Sequence, residues 1–117
     1  MLNLMVDHAP ALLDCVFGAI ADPTRRAILQ QLGRSPARVT DIAQKFPVSL
    51  NAVSKHLLVL ERAGLIRREV RGRDHICSLN GQPLREASAW IEKMRGFWEE
   101  RLDALERHLV DKRRRRQ

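Results

Sequence analysis

Apolar residues recur at intervals of three and four along most of the chain, a spacing typical of amphipathic α-helices. The pattern predicts five helices, over residues 9–20, 23–32, 40–46, 50–63 and 83–110. In the fourth of these, Val53, Leu57 and Leu60 form an apolar stripe. Polar residues occupy the opposite face, so this helix is expected to have one face in the core and one in solvent.

Residues with helix-capping chemistry mark the ends of two of these helices. Asp22 precedes Pro23, which gives the second helix an N-cap carboxylate followed by proline at its first position. Gly33 is expected to end that helix. Ser49 is placed to cap the fourth helix, and Gly64 to end it as the C′ residue.

Two short strands are predicted between the fourth and fifth helices. They cover Leu65–Val70 and His75–Leu79, and Arg71-Gly72-Arg73-Asp74 between them has the composition of a hairpin tip. Residues 34–38 are expected to form a loop. The predicted fold class is therefore mainly α with a small β-hairpin.

The last predicted helix carries an apolar stripe along its whole length of about 28 residues, or roughly 42 Å at the rise of an α-helix. A domain this small cannot cover such a helix, so we expect part of the stripe to pack against a second copy of the chain. The alternative is that the helix folds back on the first helix. The residues predicted to form the dimer interface are Leu12, Val16, Met94, Trp98, Leu102 and Leu105.

Charge adds a second line of argument. The chain has 117 residues, the size of a single domain, and a formal net charge of +7. Residues 49–81 contribute +3 and residues 111–117 contribute +4 to this charge, which points to a polyanionic partner. We assign residues 1–110 to one domain and residues 111–117 to a basic tail. Five adjacent cations repel one another, so the tail is expected to be disordered in the free protein.

Composition excludes several other classes. The longest apolar run, Cys15–Ala21, is far shorter than the roughly 18 residues of a membrane-spanning helix. The two cysteines form no CxxC pair, and the N-terminus lacks the features of a signal peptide, so a cytoplasmic location is predicted. Cys15 is expected to be buried in its apolar helix. No residue set supports catalysis, so we expect neither enzyme activity nor a cofactor.

The third and fourth predicted helices, joined by a tight turn, have the helix-turn-helix arrangement. In that arrangement the N-terminal side chains of the second helix meet base edges in the major groove, and a basic hairpin tip can reach an adjacent groove or its phosphates. The residues predicted to bind DNA are Ser49, Leu50, Asn51, Ser54, Lys55, His56, Arg71 and Arg73. For His56 a structural role behind the recognition face is equally open. Arg67 and Arg68 either contact the DNA backbone or form a solvated strand face.

Three segments make a family resemblance specific. The runs Ala19–Leu29 and Val53–Ile66, followed by Gly72-Arg73, resemble the ArsR/SmtB family of winged-helix repressors. The resemblance implies a winged helix-turn-helix with long N- and C-terminal dimerisation helices. It also implies a symmetric dimer on a palindromic operator in double-stranded DNA.

The sequence departs from the metal-sensing members of that family. Where those members carry a Cys-x-Cys pair, this chain has Arg38-Val39-Thr40, and the last helix lacks their spaced acid and histidine pairs. It is instead similar to the metal-free branch, so no metal ligand is predicted. Leu50 stands where glutamine is frequent in the family, which leaves the operator sequence open.

The sequence thus predicts a homodimeric, sequence-specific transcriptional regulator, most simply a repressor. One alternative is a DNA-binding protein of low specificity, and the other is a protein-interaction module that uses the long last helix. The sequence identifies no small-molecule inducer.

Overall fold

The computed structural model describes residues 12–116 of the chain. The first helix, α1, includes residues 12–20, and residues 9–11 of the predicted helix lie outside the described part. The remaining elements are α2 (Pro23–Arg34), β1 (Ala37–Arg38), α3 (Val39–Gln44), α4 (Leu50–Arg62), β2 (Ile66–Arg71), β3 (Asp74–Leu79) and α5 (Gln82–Arg116). The predicted class, mainly α with a β-hairpin, is confirmed. Over residues 12–116, no helix is long and apolar enough to cross a membrane.

The caps predicted for α2 and α4 are confirmed. The Asp22 carboxylate accepts a hydrogen bond from the Arg25 amide at 3.0 Å, and this bond lowers the pKa of Asp22. The Ser49 hydroxyl oxygen accepts one from the Ala52 amide at 3.1 Å. At the other end of α4, Gly64 has a φ of +75°. The amide of Leu65 donates a hydrogen bond to the carbonyl of Leu60 at 3.0 Å, as in a Schellman motif.

The predicted end of α2 is wrong by two residues. Gly33 lies inside α2, which continues to Arg34 and has Ser35 as its C-cap. Gly33 does not have the positive φ that makes glycine a helix terminator. A Cβ at this position would lie 3.8 Å from the Leu79 side chain, an ordinary contact. Gly33 therefore lies where α2 approaches β3, but the packing does not require glycine there and the residue does not end the helix.

The sheet has one strand more than the sequence predicts. Its order is β1-β3-β2 with antiparallel pairing throughout, and β1 falls in the predicted loop. Ala37 pairs with Cys77 and Arg38 pairs with Ile76. A strand of two residues has no alternation to detect, so hydrophobic patterning could not find it. It carries Arg38 to the edge of the hairpin.

The core lies among α1 to α4, the sheet and the first turn of α5. The side chains that are fully buried there include Ile28, Ile42, Val53, Leu57, Leu60, Leu65 and Cys77. Burial raises the pKa of the Cys77 thiol. Val16 is 3% exposed and belongs to the same core, which corrects its assignment to the dimer interface. Cys15 is exposed, contrary to expectation, because it lies about 100° around the helix from Val16.

The long helix α5 extends further than predicted. It has 35 residues and ends at Arg116, so residues 112–116 are helical rather than the disordered tail that the sequence suggested. Arginine and lysine are good helix formers, and cations near a helix C-terminus interact favourably with the helix dipole. The chain divides into two compact units within this helix, between Ala87 and Ser88, and the two are treated separately below.

Candidate nucleic-acid interface

The helices α3 and α4 form the predicted helix-turn-helix, separated by residues 45–49. Ile42 of α3 and Val53 of α4 are both fully buried in the common core, which holds the two helices together. The opposite face of the N-terminal half of α4 is exposed. It presents Leu50, Asn51, Ser54 and Lys55, all four of which are predicted to bind DNA.

Ser49 lies just before these residues and is also exposed. Its oxygen is already used as the N-cap of α4, where it accepts the amide hydrogen of Ala52. A serine hydroxyl also carries a hydrogen that it can donate. Ser49 can therefore still donate to a DNA acceptor while it caps the helix, and its position is fixed by the cap.

The hairpin of β2 and β3 supplies the predicted wing. Gly72 and Arg73 form its two-residue turn, and Gly72 has a φ of +62°, the feature that type II′ turns require at this position. Arg71 is partly neutralised by Glu69, whose carboxylate lies 3.2 Å from its guanidinium. Arg73 makes no hydrogen bond or ion pair to any residue from 12 to 116. Of the two predicted arginines, Arg73 is thus the more available.

The helix and the hairpin share one surface depression, which we call the wing groove. It has a volume of about 250 Å³. Its lining residues are Arg38, Val39, Thr40, Leu50, Ser54, Arg68, Arg73, Asp74 and His75. The groove thus brings three predicted DNA-binding residues, Leu50, Ser54 and Arg73, to one site. It also contains further cations to which the sequence had assigned no fixed role.

Arg38 is the clearest residue that sequence reasoning missed. It precedes α3, and its guanidinium donates to the Asp41 carboxylate through Nε at 3.0 Å and Nη2 at 3.4 Å. These hydrogen bonds raise the pKa of Arg38. Asp74 of the hairpin lies 3.8 Å from Nη1 on the other side. The spacing of Arg38 and Asp41 could have suggested the first ion pair, but only the unpredicted strand β1 explains the second.

His56 faces away from the exposed side of α4. Its Nδ1 lies 3.3 Å from Nη1 of Arg25 and 3.9 Å from the Asp22 carboxylate. A guanidinium can only donate, so Nδ1 is the acceptor wherever this hydrogen bond is made. Arg25 also donates to the α1 carbonyls of Gly18 and Ala19, at 3.0 and 2.6 Å. Of the two alternatives for His56, this geometry favours the structural role.

The two arginines left open on β2 differ in environment. Arg67 is exposed, whereas Arg68 is half-buried and lines the wing groove. The Nε atom of Arg68 lies 3.5 Å from the Glu61 carboxylate of α4, without hydrogen-bond geometry. Arg68 thus links the hairpin to α4, and Arg67 remains available to solvent or DNA.

Most residues predicted for the dimer interface have side chains in solvent. Leu12 in the first unit is 58% exposed, and in the second unit Trp98 is 57% and Leu102 is 58% exposed. Leu105 is 53% exposed, and Met94 is half-buried. Of the residues predicted for the dimer interface, only Val16 is excluded, because its side chain is buried in the core.

Known proteins with the same features were found by sequence and by structure. Residues 20–69 match the model of a helix-turn-helix domain family. The transcriptional repressor SdpR of Bacillus subtilis is 38% identical over 76 residues, which are 65% of this chain and 84% of that protein. A crystal structure of an ArsR family transcriptional regulator matches with a TM-score of 0.73 and 39% identity, over 77% of this chain and 93% of that chain. This chain belongs to the ArsR family.

A second solved structure from the same family is also similar to this chain. An ArsR-like transcriptional regulator from Rhodococcus sp. RHA1 matches with a TM-score of 0.72 and 35% identity, over 81% of this chain and 90% of that chain. Membership in the ArsR family makes the protein a helix-turn-helix transcriptional regulator that binds DNA, and not an enzyme. The resemblance inferred from the three sequence segments is thereby confirmed.

Whether the chain can bind a metal depends on which ligand residues it carries. Arg38-Val39-Thr40, the stretch where metal-sensing ArsR members carry thiols, does lie at the start of α3. Within the described part of this ArsR-family chain, no three His, Cys, Asp or Glu side chains are grouped so that they could hold a metal ion. That the protein works without a metal stays a prediction.

Proposed function

We propose that this ArsR-family regulator is a homodimeric repressor that binds a palindromic operator in double-stranded DNA. The observation that carries the proposal is the wing groove, in which Leu50 and Ser54 of α4 lie beside Arg73 of the hairpin. One element can thus enter the major groove while the other meets the backbone beside it. A helix and a basic hairpin on one surface have the arrangement that a DNA half-site requires.

The exposed residues of α4 have chemistry suited to reading bases. The Asn51 amide can donate and accept, the Ser54 hydroxyl can do either, and Lys55 can donate to guanine or phosphate. Leu50 can contact a thymine methyl group. Because the buried stripe fixes the rotation of α4 about its axis, these four side chains are presented together.

The second copy is proposed on the basis of α5. Trp98, Leu102 and Leu105 are large apolar side chains that are more than half exposed in the single chain. A two-fold dimer would bury them, and the two half-sites of its operator are expected to lie about one helical turn of DNA apart, roughly 34 Å. A palindromic operator matches that symmetry. The repressor role, and with it a cytoplasmic location, is supported by similarity to a relative named as a transcriptional repressor.

The test is a comparison of specific and unspecific DNA. The operator is sought first in the DNA upstream of the chain's own gene, and binding to it and to a scrambled duplex is measured by fluorescence anisotropy. Replacing Ser54 and Lys55 by alanine should cost about 1–3 kcal/mol for each base contact that the variant can no longer make, and should reduce the preference for the operator. Lys93→Ala, which removes the same charge from an exposed position on α5, is the control.

Three outcomes separate this proposal from its alternatives. If the double variant leaves the ratio of the two affinities unchanged, Ser54 and Lys55 do not read bases. If unrelated DNA competes as well as the operator at physiological salt, the protein is a DNA-binding protein of low specificity. If the parent chain dimerises but binds no duplex, the chain acts as a protein-interaction module.

A further inference from the structure

Arg38 lies outside α4, the predicted recognition helix, and is positioned by the backbone pairing of β1 with β3. β1 runs antiparallel to β3, and Arg38 pairs with Ile76, two residues beyond Asp74. This register brings the Arg38 guanidinium to within 3.8 Å of the Asp74 carboxylate, close to the hairpin turn. A cation from the start of α3 is thereby added to the wing.

The carboxylate partners of Arg38 do not remove it from solvent. The side chain of Arg38 is 52% exposed, and those of Asp41 and Asp74 are 42% and 51% exposed. Ion pairs between exposed groups are weak because water screens them and both side chains lose freedom. Arg38 can therefore exchange a carboxylate for another anion at little cost.

The wing groove offers a place for that anion. Arg38 and Arg73 line it together, and Ser54 of α4 lies on the same surface. A guanidinium can bind phosphate through two parallel N–H groups, which favours arginine for this ligand. Asp74, the one acid in the lining, would instead repel a phosphate.

We propose that the wing groove binds a phosphate of the DNA backbone through Arg38 and Arg73, and that Asp74 competes with this phosphate for Arg38. The inference rests on the proposed function, because it assumes that α4 and the hairpin face the same duplex. It adds a DNA-binding residue outside the recognition helix and the hairpin turn. It also makes Asp74 a residue that lowers DNA affinity.

The experiment is a double-mutant cycle with Arg38→Ala, Asp74→Asn and the combined variant. The probe is a labelled duplex of mixed sequence with about 30 base pairs, long enough for two half-sites one turn apart. Phosphate contacts do not depend on base sequence, so this probe requires no knowledge of the operator. Affinity is measured by anisotropy at several salt concentrations, and thermal unfolding of each variant checks that it is folded.

Each variant has a distinct expected result. Arg38→Ala should weaken binding and make the slope of log affinity against log salt shallower by about 0.9 for each phosphate that is no longer bound. Asp74→Asn should tighten binding about threefold, in the range expected when an exposed ion pair is broken. In the Arg38→Ala background the same Asp74→Asn change should produce a clearly smaller gain. Arg34→Ala, an exposed arginine that lines a different depression, should leave the salt slope unchanged.

Two results would overturn the inference. An equal gain from Asp74→Asn in both backgrounds would show that Asp74 acts as a general negative charge and not through Arg38. An unchanged salt slope in Arg38→Ala would show that Arg38 contacts no phosphate. In either case a parent chain that still depends on Ser54 and Lys55 keeps its proposed function. A parent chain that binds no DNA at all contradicts both proposals.

Discussion

The two units of the chain differ in the burial of their apolar side chains: most are buried or half-buried in residues 12–87 and nearly all are exposed in residues 88–116. In the first unit Ile28 and Leu57 are completely buried, along with most of the large apolar residues of α2 to α4. In the second unit Met94 is half-buried and every other residue is exposed, although the helix has a continuous apolar stripe. The same type of periodicity thus corresponds to an internal core in one region and to an uncovered face in the other.

The difference shows which interactions each unit can use. A single helix cannot bury its own face, so it is held by contacts between neighbouring turns. Arg95 pairs with Glu92 at 2.9 Å and with Glu99 at 2.8 Å, and Arg101 lies 4.9 Å from the centre of the Phe97 ring. Exposed pairs of this kind contribute little. The first unit therefore carries its own stability, whereas the second has an apolar face suited to a partner.

The largest effect is expected on the free energy of unfolding, when the same leucine-to-alanine change is made once in each unit. Leu57→Ala removes a fully buried side chain from α4 and should lower the free energy of unfolding by about 2–5 kcal/mol. Leu105→Ala is the matched control, because this side chain is 53% exposed and should change the unfolding of the first unit very little. Urea unfolding at several protein concentrations measures both, since dimer formation would make stability depend on concentration. Equal losses at all concentrations would contradict the division into two kinds of region.

A smaller effect is expected on self-association. Trp98→Ala should weaken the proposed dimer by about 2 kcal/mol, roughly thirtyfold, because large aromatic residues near the centre of an interface contribute most. Sedimentation at micromolar concentration measures the dissociation constant. The control is Val70→Ala on β2, which is 61% exposed but outside the predicted interface. If the Trp98 variant remains as dimeric as the parent, the apolar face of α5 is not where two copies meet.

The elements that the sequence predicts best are those set by local chemistry. Asp22 and Ser49 are recognisable as caps because their side chains bond to amides within the same turn. Gly64 and Gly72 are recognisable as a helix end and a hairpin turn, and both have the positive φ that favours glycine. Gly33 shows the limit of this reasoning, because a glycine near a helix end need not have a positive φ, and the sequence does not show which glycines do.

The parts that sequence reasoning missed depend on tertiary contacts. Val16 and Leu12 belong to the same apolar pattern, yet Val16 lies in the core and Leu12 in solvent. The spacing of apolar residues does not by itself distinguish those that pack in the core of their own chain from those that pack against another chain. Arg38 was missed for a related reason, since its place in the wing groove depends on a two-residue strand paired with a distant one. For the candidate site, the exposed face of α4 and the arginine of the hairpin turn were predictable, and the contribution of Arg38 was not.

The smallest predicted effect concerns the end of the second unit, where the exposed surface becomes basic rather than apolar. Residues 112–116 are one lysine and four arginines in the last turns of α5, and all are exposed. Replacing them by glutamine keeps helix-forming residues but removes five positive charges. DNA affinity should fall by about 1 kcal/mol at low salt, by a similar factor for operator and scrambled duplexes, because phosphate contacts carry no sequence information. The loss should shrink as salt is raised, since the Debye length falls to about 10 Å at 0.1 M. Circular dichroism checks that the helix is retained, and sedimentation should show an unchanged dimer. A loss confined to the operator would mean that the basic end takes part in reading bases, and equal affinities at every salt concentration would mean that it does not touch DNA.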